Sequence, residues 1–154
     1  MVLRRKLTVL LGTVMVVMGA ATLFGAHEAL AAVFTGTALN DTLLGTASND
    51  TLSGLEGNDY LEGRAGDDYL DAGVGDDTIK GGRDNDRIYP GEGADEVYAG
   101  AGNDLIYARD TASYDYIDCG GGFDQVETIH RDDVTLSNCE RALGPRAGNI
   151  PTGV

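Results

Sequence analysis

Through the middle of this chain an aliphatic residue stands two positions after an aspartate, and the pair returns every nine residues. The register begins at Gly36 and runs to Tyr107 through GTALNDTLL, GTASNDTLS, GLEGNDYLE, GRAGDDYLD, AGVGDDTIK, GGRDNDRIY, PGEGADEVY and AGAGNDLIY. In these eight units the eighth place is Leu43, Leu52, Leu61, Leu70, Ile79, Ile88, Val97 and Ile106. The sixth is Asp41, Asp50, Asp59, Asp68, Asp77, Asp86, Asp95 and Asp104. The fifth is Asn or Asp except at Ala94, and Gly gathers at places one, two and four. A helix does not suit this pattern, because each Gly in it would cost about 1 kcal/mol. Places seven to nine predict a short strand, with place eight facing inward and its two neighbours outward. Places one to six predict a turn in which Gly supplies backbone angles that other residues resist. Two units then close one coil, with odd units stacked on one side and even units on the other. The predicted class is all-β.

Composition sharpens the picture. The chain has 154 residues and a net charge of −14, with 25 acidic side chains against 11 basic ones. That length suits one domain. The acidity argues against a nucleic-acid partner, which needs a basic footprint. A disordered acidic linker is the plain alternative. It supplies no reason for Asp and an aliphatic residue to keep step across so many units.

The first 31 residues carry a different signal. Arg4, Arg5 and Lys6 precede an uncharged apolar stretch from Leu7 to Gly25, and Ala29-Leu30-Ala31 follows. This is the pattern of a secretory signal peptide cut after Ala31. A retained signal anchor is the alternative, since the apolar stretch is long enough to span a bilayer. Cleavage removes Arg4, Arg5, Lys6 and Glu28 and moves the net charge from −14 to −16. The expected location is extracellular, with no membrane contact after cleavage.

The units resemble the glycine-aspartate nonapeptide G-G-x-G-x-D-x-U-x of RTX, or hemolysin-type, calcium-binding repeat proteins. The resemblance covers 36–107 cleanly and extends more loosely to Glu127. It implies a parallel β-roll, a right-handed β-solenoid, that holds several Ca²⁺ ions. Some units depart from the motif. Place two is Thr37, Thr46, Leu55 and Arg64 in the first four, and place four is Leu39, Ser48 and Asp84 in units one, two and six. Those turns are expected to bind less well.

Physical chemistry gives the same cation. Stacked coils bring the place-six carboxylates of alternate units close together. Two such charges ~5 Å apart repel by roughly 3 kcal/mol at an effective dielectric near 20. One buried aliphatic residue per unit contributes only about 1.5–3 kcal/mol. Ca²⁺ accepts six to eight hard oxygens in flexible geometry, whereas Mg²⁺ demands a tight octahedron, and Zn²⁺ lacks its Cys and His ligands here. The expected ligands are the eight aspartates above with Asp115 and Asp124. Carbonyls from turn glycines such as Gly57, Gly66, Gly73, Gly75, Gly82, Gly91, Gly93, Gly100 and Gly102 join them. Ions between units k and k+2 give six sites for the regular units and eight if the looser units count; four to six are expected to fill well. The place-five residues read chiefly as turn formers.

After Tyr107 the period loosens. Ala108 to Asp118 is a unit of eleven residues, and Cys119 to Glu127 returns to nine with Asp124 and Val126 in place. The expected organisation is a signal over 1–31, the roll over 32–127, a C-terminal cap over 128–143 and a flexible tail over 144–154. Two cysteines in an exported chain suggest a Cys119–Cys139 disulfide that closes the cap, with two free thiols as the alternative. No G-x-S-x-G or H-E-x-x-H motif is present, and His130 is the one histidine beyond the signal. The chain is therefore expected not to be an enzyme. The leading function is a secreted protein that folds on Ca²⁺. The alternative is a surface or matrix interaction protein that uses Ca²⁺ only as scaffold, with an unidentified cell-surface or matrix partner. Its candidate face carries Tyr69, Tyr89 and Tyr107, the last two expected to stack.

Overall fold

The computed structural model describes residues 30–108, 113–128, 134–139 and 141–143. The expected signal segment to residue 29, the tail over 144–154 and His130 lie outside the described residues. Thirteen strands follow one another without a helix among the described residues: β1 Val33–Thr35, β2 Thr42–Leu44, β3 Thr51–Glu56, β4 Tyr60–Ala65, β5 Tyr69–Val74, β6 Thr78–Arg83, β7 Arg87–Glu92, β8 Glu96–Ala101, β9 Leu105–Ala108, β10 Asp115–Asp118, β11 Gln125–Thr128, β12 Val134–Ser137 and β13 Arg141–Leu143. Odd strands form one sheet in the order β1-β3-β5-β7-β9-β11-β13, and even strands form the other. Every pairing is parallel, with Leu52 beside Leu70 and Leu61 beside Ile79. The chain is a parallel β-solenoid, wound as the nine-residue period requires.

The alternation within each strand builds the core. Phe34, Leu43, Leu52, Leu61, Leu70, Ile79, Ile88, Val97, Ile106, Ile117 and Val126 form an inward file between the sheets and are all buried. Phe34 belongs to a half-coil before the first recognised unit, which the sequence pattern missed because Ala32 stands where Asp recurs later. The strands also run further than expected. From β3 to β8 they continue through places one to three of the next unit. Place one is a second inward position, occupied by buried Ala72, Pro90 and Ala99 where it is not Gly in the regular units. The alternation of place eight in, nine out and one in carries the sheet into what had been expected to be turn.

The eleven-residue unit fits without breaking the stack. Val97 pairs with Ile117 and Ile106 with Val126, so the coil repeat grows locally from 18 to 20 residues while the inward file is kept. Strands β12 and β13 continue the two sheets against β10 and β11. Here Val134, not a carboxylate, stands in register with Asp115. Cys119, buried at place one, is bonded to Cys139 with a Cα–Cα separation of 5.1 Å. The expected disulfide is present, tying the last coils together.

Candidate metal centre

The coil repeat puts the place-six aspartates into two columns, one on each edge of the roll. Asp41, Asp59, Asp77, Asp95 and Asp115 line one edge, and Asp50, Asp68, Asp86, Asp104 and Asp124 line the other. All ten are 1–4% exposed. Within a column each carboxylate reaches back one coil. The amide of Asp41 donates to Oδ1 of Asp59 at 2.7 Å, Asp59 to Asp77 at 2.6 Å and Asp77 to Asp95 at 2.9 Å. On the other edge Asp50 donates to Asp68 at 2.7 Å, Asp68 to Asp86 at 2.9 Å and Asp86 to Asp104 at 2.8 Å. Asp95 donates to Asp115 and Asp104 to Asp124 across the longer spacing. From Asp50 onward, one oxygen of each carboxylate is thus committed to holding coils together.

The other oxygen differs. Oδ2 of Asp59, Asp68, Asp77, Asp86, Asp104 and Asp124 is buried with no hydrogen-bond partner. A buried carboxylate oxygen left this way is costly. Burial, partly offset by the accepted amide, pushes Asp68, Asp77 and Asp104 up to about 6 and Asp86 up to about 8. Neighbouring aspartates in the column contribute to that rise, Asp104 and Asp68 acting on Asp86. Asp59 is raised by burial in the same way.

A carbonyl oxygen lies beside these orphaned atoms. A Cβ added at Gly54 would collide with both Oδ2 of Asp59 and the carbonyl of Ala72 in the next coil. At Gly81 it would collide with Oδ2 of Asp86 and the carbonyl of Ala99. Carboxylate and carbonyl oxygens from two coils therefore converge where no side chain intrudes. These are hard donors of the kind Ca²⁺ takes. Among the described residues no three His, Cys, Asp or Glu side chains gather at one point, so backbone carbonyls would have to complete any coordination sphere. Of the turn glycines expected to supply them, Gly73, Gly82, Gly91 and Gly100 at place two and Gly57, Gly66, Gly75, Gly93 and Gly102 at place four are all left-handed. The need is plain at Gly91, where a Cβ would strike the carbonyl of Gly73 one coil below.

The first two units are built otherwise. The amide and hydroxyl of Thr37 both donate to Oδ2 of Asp41, at 2.6 and 2.9 Å. Thr46 does the same to Asp50 at the same distances. The departures at Thr37 and Thr46 had been expected only to weaken binding.

Place five holds an arrangement that sequence reasoning did not find. Oδ1 of Asn49 accepts from the amide of Asp67, Oδ1 of Asp67 from Asn85, Oδ1 of Asn85 from Asn103, and Oδ1 of Asn103 from Phe123. The other edge repeats this from Asn40 through Asn58 and Asp76 to the amide of Ala94. These side chains link coils, in the direction opposite to the place-six bonds. Their recurrence every nine residues was the signal, hidden because Asn and Asp also suit isolated turns.

Four copies of a family model, the RTX calcium-binding nonapeptide repeat, match residues 35–70, 62–97, 71–106 and 89–112. No curated protein and no solved structure matches the chain. Together the matched copies span 35–112, half of the chain, on the same coils whose buried aspartates have just been described. The chain belongs to the RTX calcium-binding nonapeptide repeat family.

Proposed function

We propose that this is a secreted calcium-binding protein whose roll folds as Ca²⁺ ions enter between stacked turns. One observation carries the reading: buried, unpartnered Oδ2 atoms recur coil after coil, beside carbonyl oxygens of the next coil. Each ion would be held by place-six carboxylates from Asp59 to Asp124 and by turn carbonyls. It would remove the repulsion along each column and supply the partner that burial withholds. Ion binding and folding would then be one event. Export is supported by the basic and apolar N-terminal segment and by the disulfide, which suits an oxidising compartment. The reading is non-enzymatic, since the buried carboxylates are spread along two columns and do not converge in one cleft.

A calcium titration of the mature chain, followed by circular dichroism and hydrodynamic radius, tests this. Strand signal should rise and the radius fall as calcium is added. A full strand signature in chelator would overturn folding on calcium.

The surface-partner reading rests on the tyrosine row. Tyr89 and Tyr107 do stack, with ring centroids 4.5 Å apart and planes 7° from parallel, and Tyr69 lies 5.1 Å from Tyr89. Rings stacked this way cover each other's faces, which leaves mainly edges for a ligand. The calcium reading is therefore preferred, and a pull-down with and without calcium separates the two.

A further inference from the structure

We infer that the first two turns are a calcium-independent cap, in which Thr37 and Thr46 occupy the role that an ion fills in later turns, so that Asp41 and Asp50 are not ion ligands. This rests on the calcium reading of the later turns, since what the threonines replace is the ion.

The hydrogen bonds complete the first turns internally. Oδ2 of Asp41 accepts from both the amide and the hydroxyl of Thr37. The same hydroxyl oxygen accepts from the amide of Leu39 at 3.2 Å. In the second turn Thr46 bonds Asp50 in the same two ways and accepts from the amide of Ser48. Each hydroxyl thus uses its single donor and one acceptor site. The carboxylate oxygen that is orphaned in later turns has two donors here.

The backbone shows that this is a different turn and not a Gly turn with a substituted residue. In units three and four, place two is left-handed even without Gly, at φ 85° for Leu55 and 84° for Arg64. None of Thr37, Leu39, Thr46 and Ser48 has a positive φ. A β-branched residue resists that region, so Thr at place two takes the ordinary backbone and aims its amide at the carboxylate. Four departures from the motif, at places two and four of both units, are therefore one device. The strands agree: β1 and β2 have three residues each, whereas β3 to β8 have six.

The position fits the task. A coil stack needs an end that does not depend on a further neighbour. On the Asp50 edge the preceding coil offers Ala32, which donates its amide to Oδ1 of Asp50 at 2.7 Å but has no carboxylate to share an ion. With Asp41 and Asp50 set aside, six neighbouring aspartate pairs remain: 59–77, 77–95 and 95–115 on one edge, and 68–86, 86–104 and 104–124 on the other.

Ion counting by native mass spectrometry at saturating calcium tests the inference on the full mature chain, with circular dichroism to confirm folding. Asp50→Asn should hold as many ions as the unaltered chain, while Asp86→Asn should hold at least one fewer. The double variant Thr46→Gly with Ser48→Gly restores the motif in the second turn and should gain one ion. Loss of an ion in Asp50→Asn, or an unchanged count in the double variant, would overturn the cap. An unaltered chain that holds no ion would reject the calcium reading itself. Amide exchange at Thr37 and Thr46 then decides the hydrogen-bonded cap alone. Slow exchange that Asp41→Ala and Asp50→Ala accelerate by about tenfold supports it; exchange as fast as an exposed loop rejects it.

Discussion

Asp86 links the coils on either side of it: its Oδ1 accepts from the amide of Asp68 at 2.9 Å, and its own amide donates to Oδ1 of Asp104 at 2.8 Å. Its second oxygen lies buried without a donor. An aspartate gripped through one oxygen and starved at the other will respond both to protons and to cations.

The proton response has a definite sign. Asp68, Asp77 and Asp104 are pushed up to about 6 and Asp86 to about 8, whereas an unfolded Asp titrates near about 3.9. A raised carboxyl favours the fold when protonated. The calcium-free fold is thus best supported below about pH 4 and loses that support as pH rises through 6 and 8. In chelator, circular dichroism should show more strand at pH 5 than at pH 8. With calcium present, protons compete for the same oxygens, and the calcium midpoint should fall between pH 6 and 8. A midpoint indifferent to pH would count against these carboxylates as ligands.

Substitution should hurt most in the middle of the stack. Asp77→Ala and Asp86→Ala each remove a carboxylate that bonds the coil before and faces the coil after. Losing a charged hydrogen bond costs about 1.5–3 kcal/mol, so the calcium midpoint should rise about tenfold or more. Asp41→Ala loses only the bonds to Thr37 and should shift the midpoint less. Equal shifts in all three would contradict the stacked-turn arrangement.

Leu55 and Arg64 sit in the left-handed region, which costs a non-Gly residue roughly 1–2 kcal/mol. Leu55 is 46% exposed, so little packing is lost on replacing it. Leu55→Gly and Arg64→Gly should each stabilise the calcium-loaded fold by about 0.5–1 kcal/mol after the entropy of Gly is charged against the gain. A lowered Tm in both would show that these side chains hold the turn in some other way.

Cys119 and Cys139 close a loop with a sequence separation of 20. Cys139→Ala should destabilise the calcium-loaded chain by about 3 kcal/mol in the chain-entropy model. Amide exchange should quicken first in β10 and β12, which the disulfide joins, and a uniform effect across the roll would argue against a local clasp.

Much of this was legible in the residues, and the reasons for the misses are physical. The distance from Leu52 to Leu70 follows from two nine-residue units, so coil length, parallel pairing and the inward file could be read from order alone. The ten place-six aspartates could be picked out by the same register once the eleven-residue unit was allowed for, but not their burial. Place one looked like turn because Gly dominates it, with only Ala72, Pro90 and Ala99 departing from Gly in the regular units. The Asn49–Asp67–Asn85 ladder needed three dimensions, since its bonds join residues a full coil apart. Thr37 and Leu39 were weighed singly as flaws in a motif, whereas one hydroxyl binds them into a single turn.

The coil of 18 residues sets a unit of change for the whole molecule. Among the described residues, bonds between coils join adjacent ones, so removing 63–80 would bring two matching edges together and shorten the rod by one rung. Every later side chain would stay on its original sheet. Removing only 72–80 would also leave the aliphatic file and the aspartate edges continuous, yet all that follows would change sides. Tyr89 would then leave the sheet that carries Tyr69, and each outer face would become a splice of two. The interior tolerates half-steps; the exterior is preserved only by whole ones.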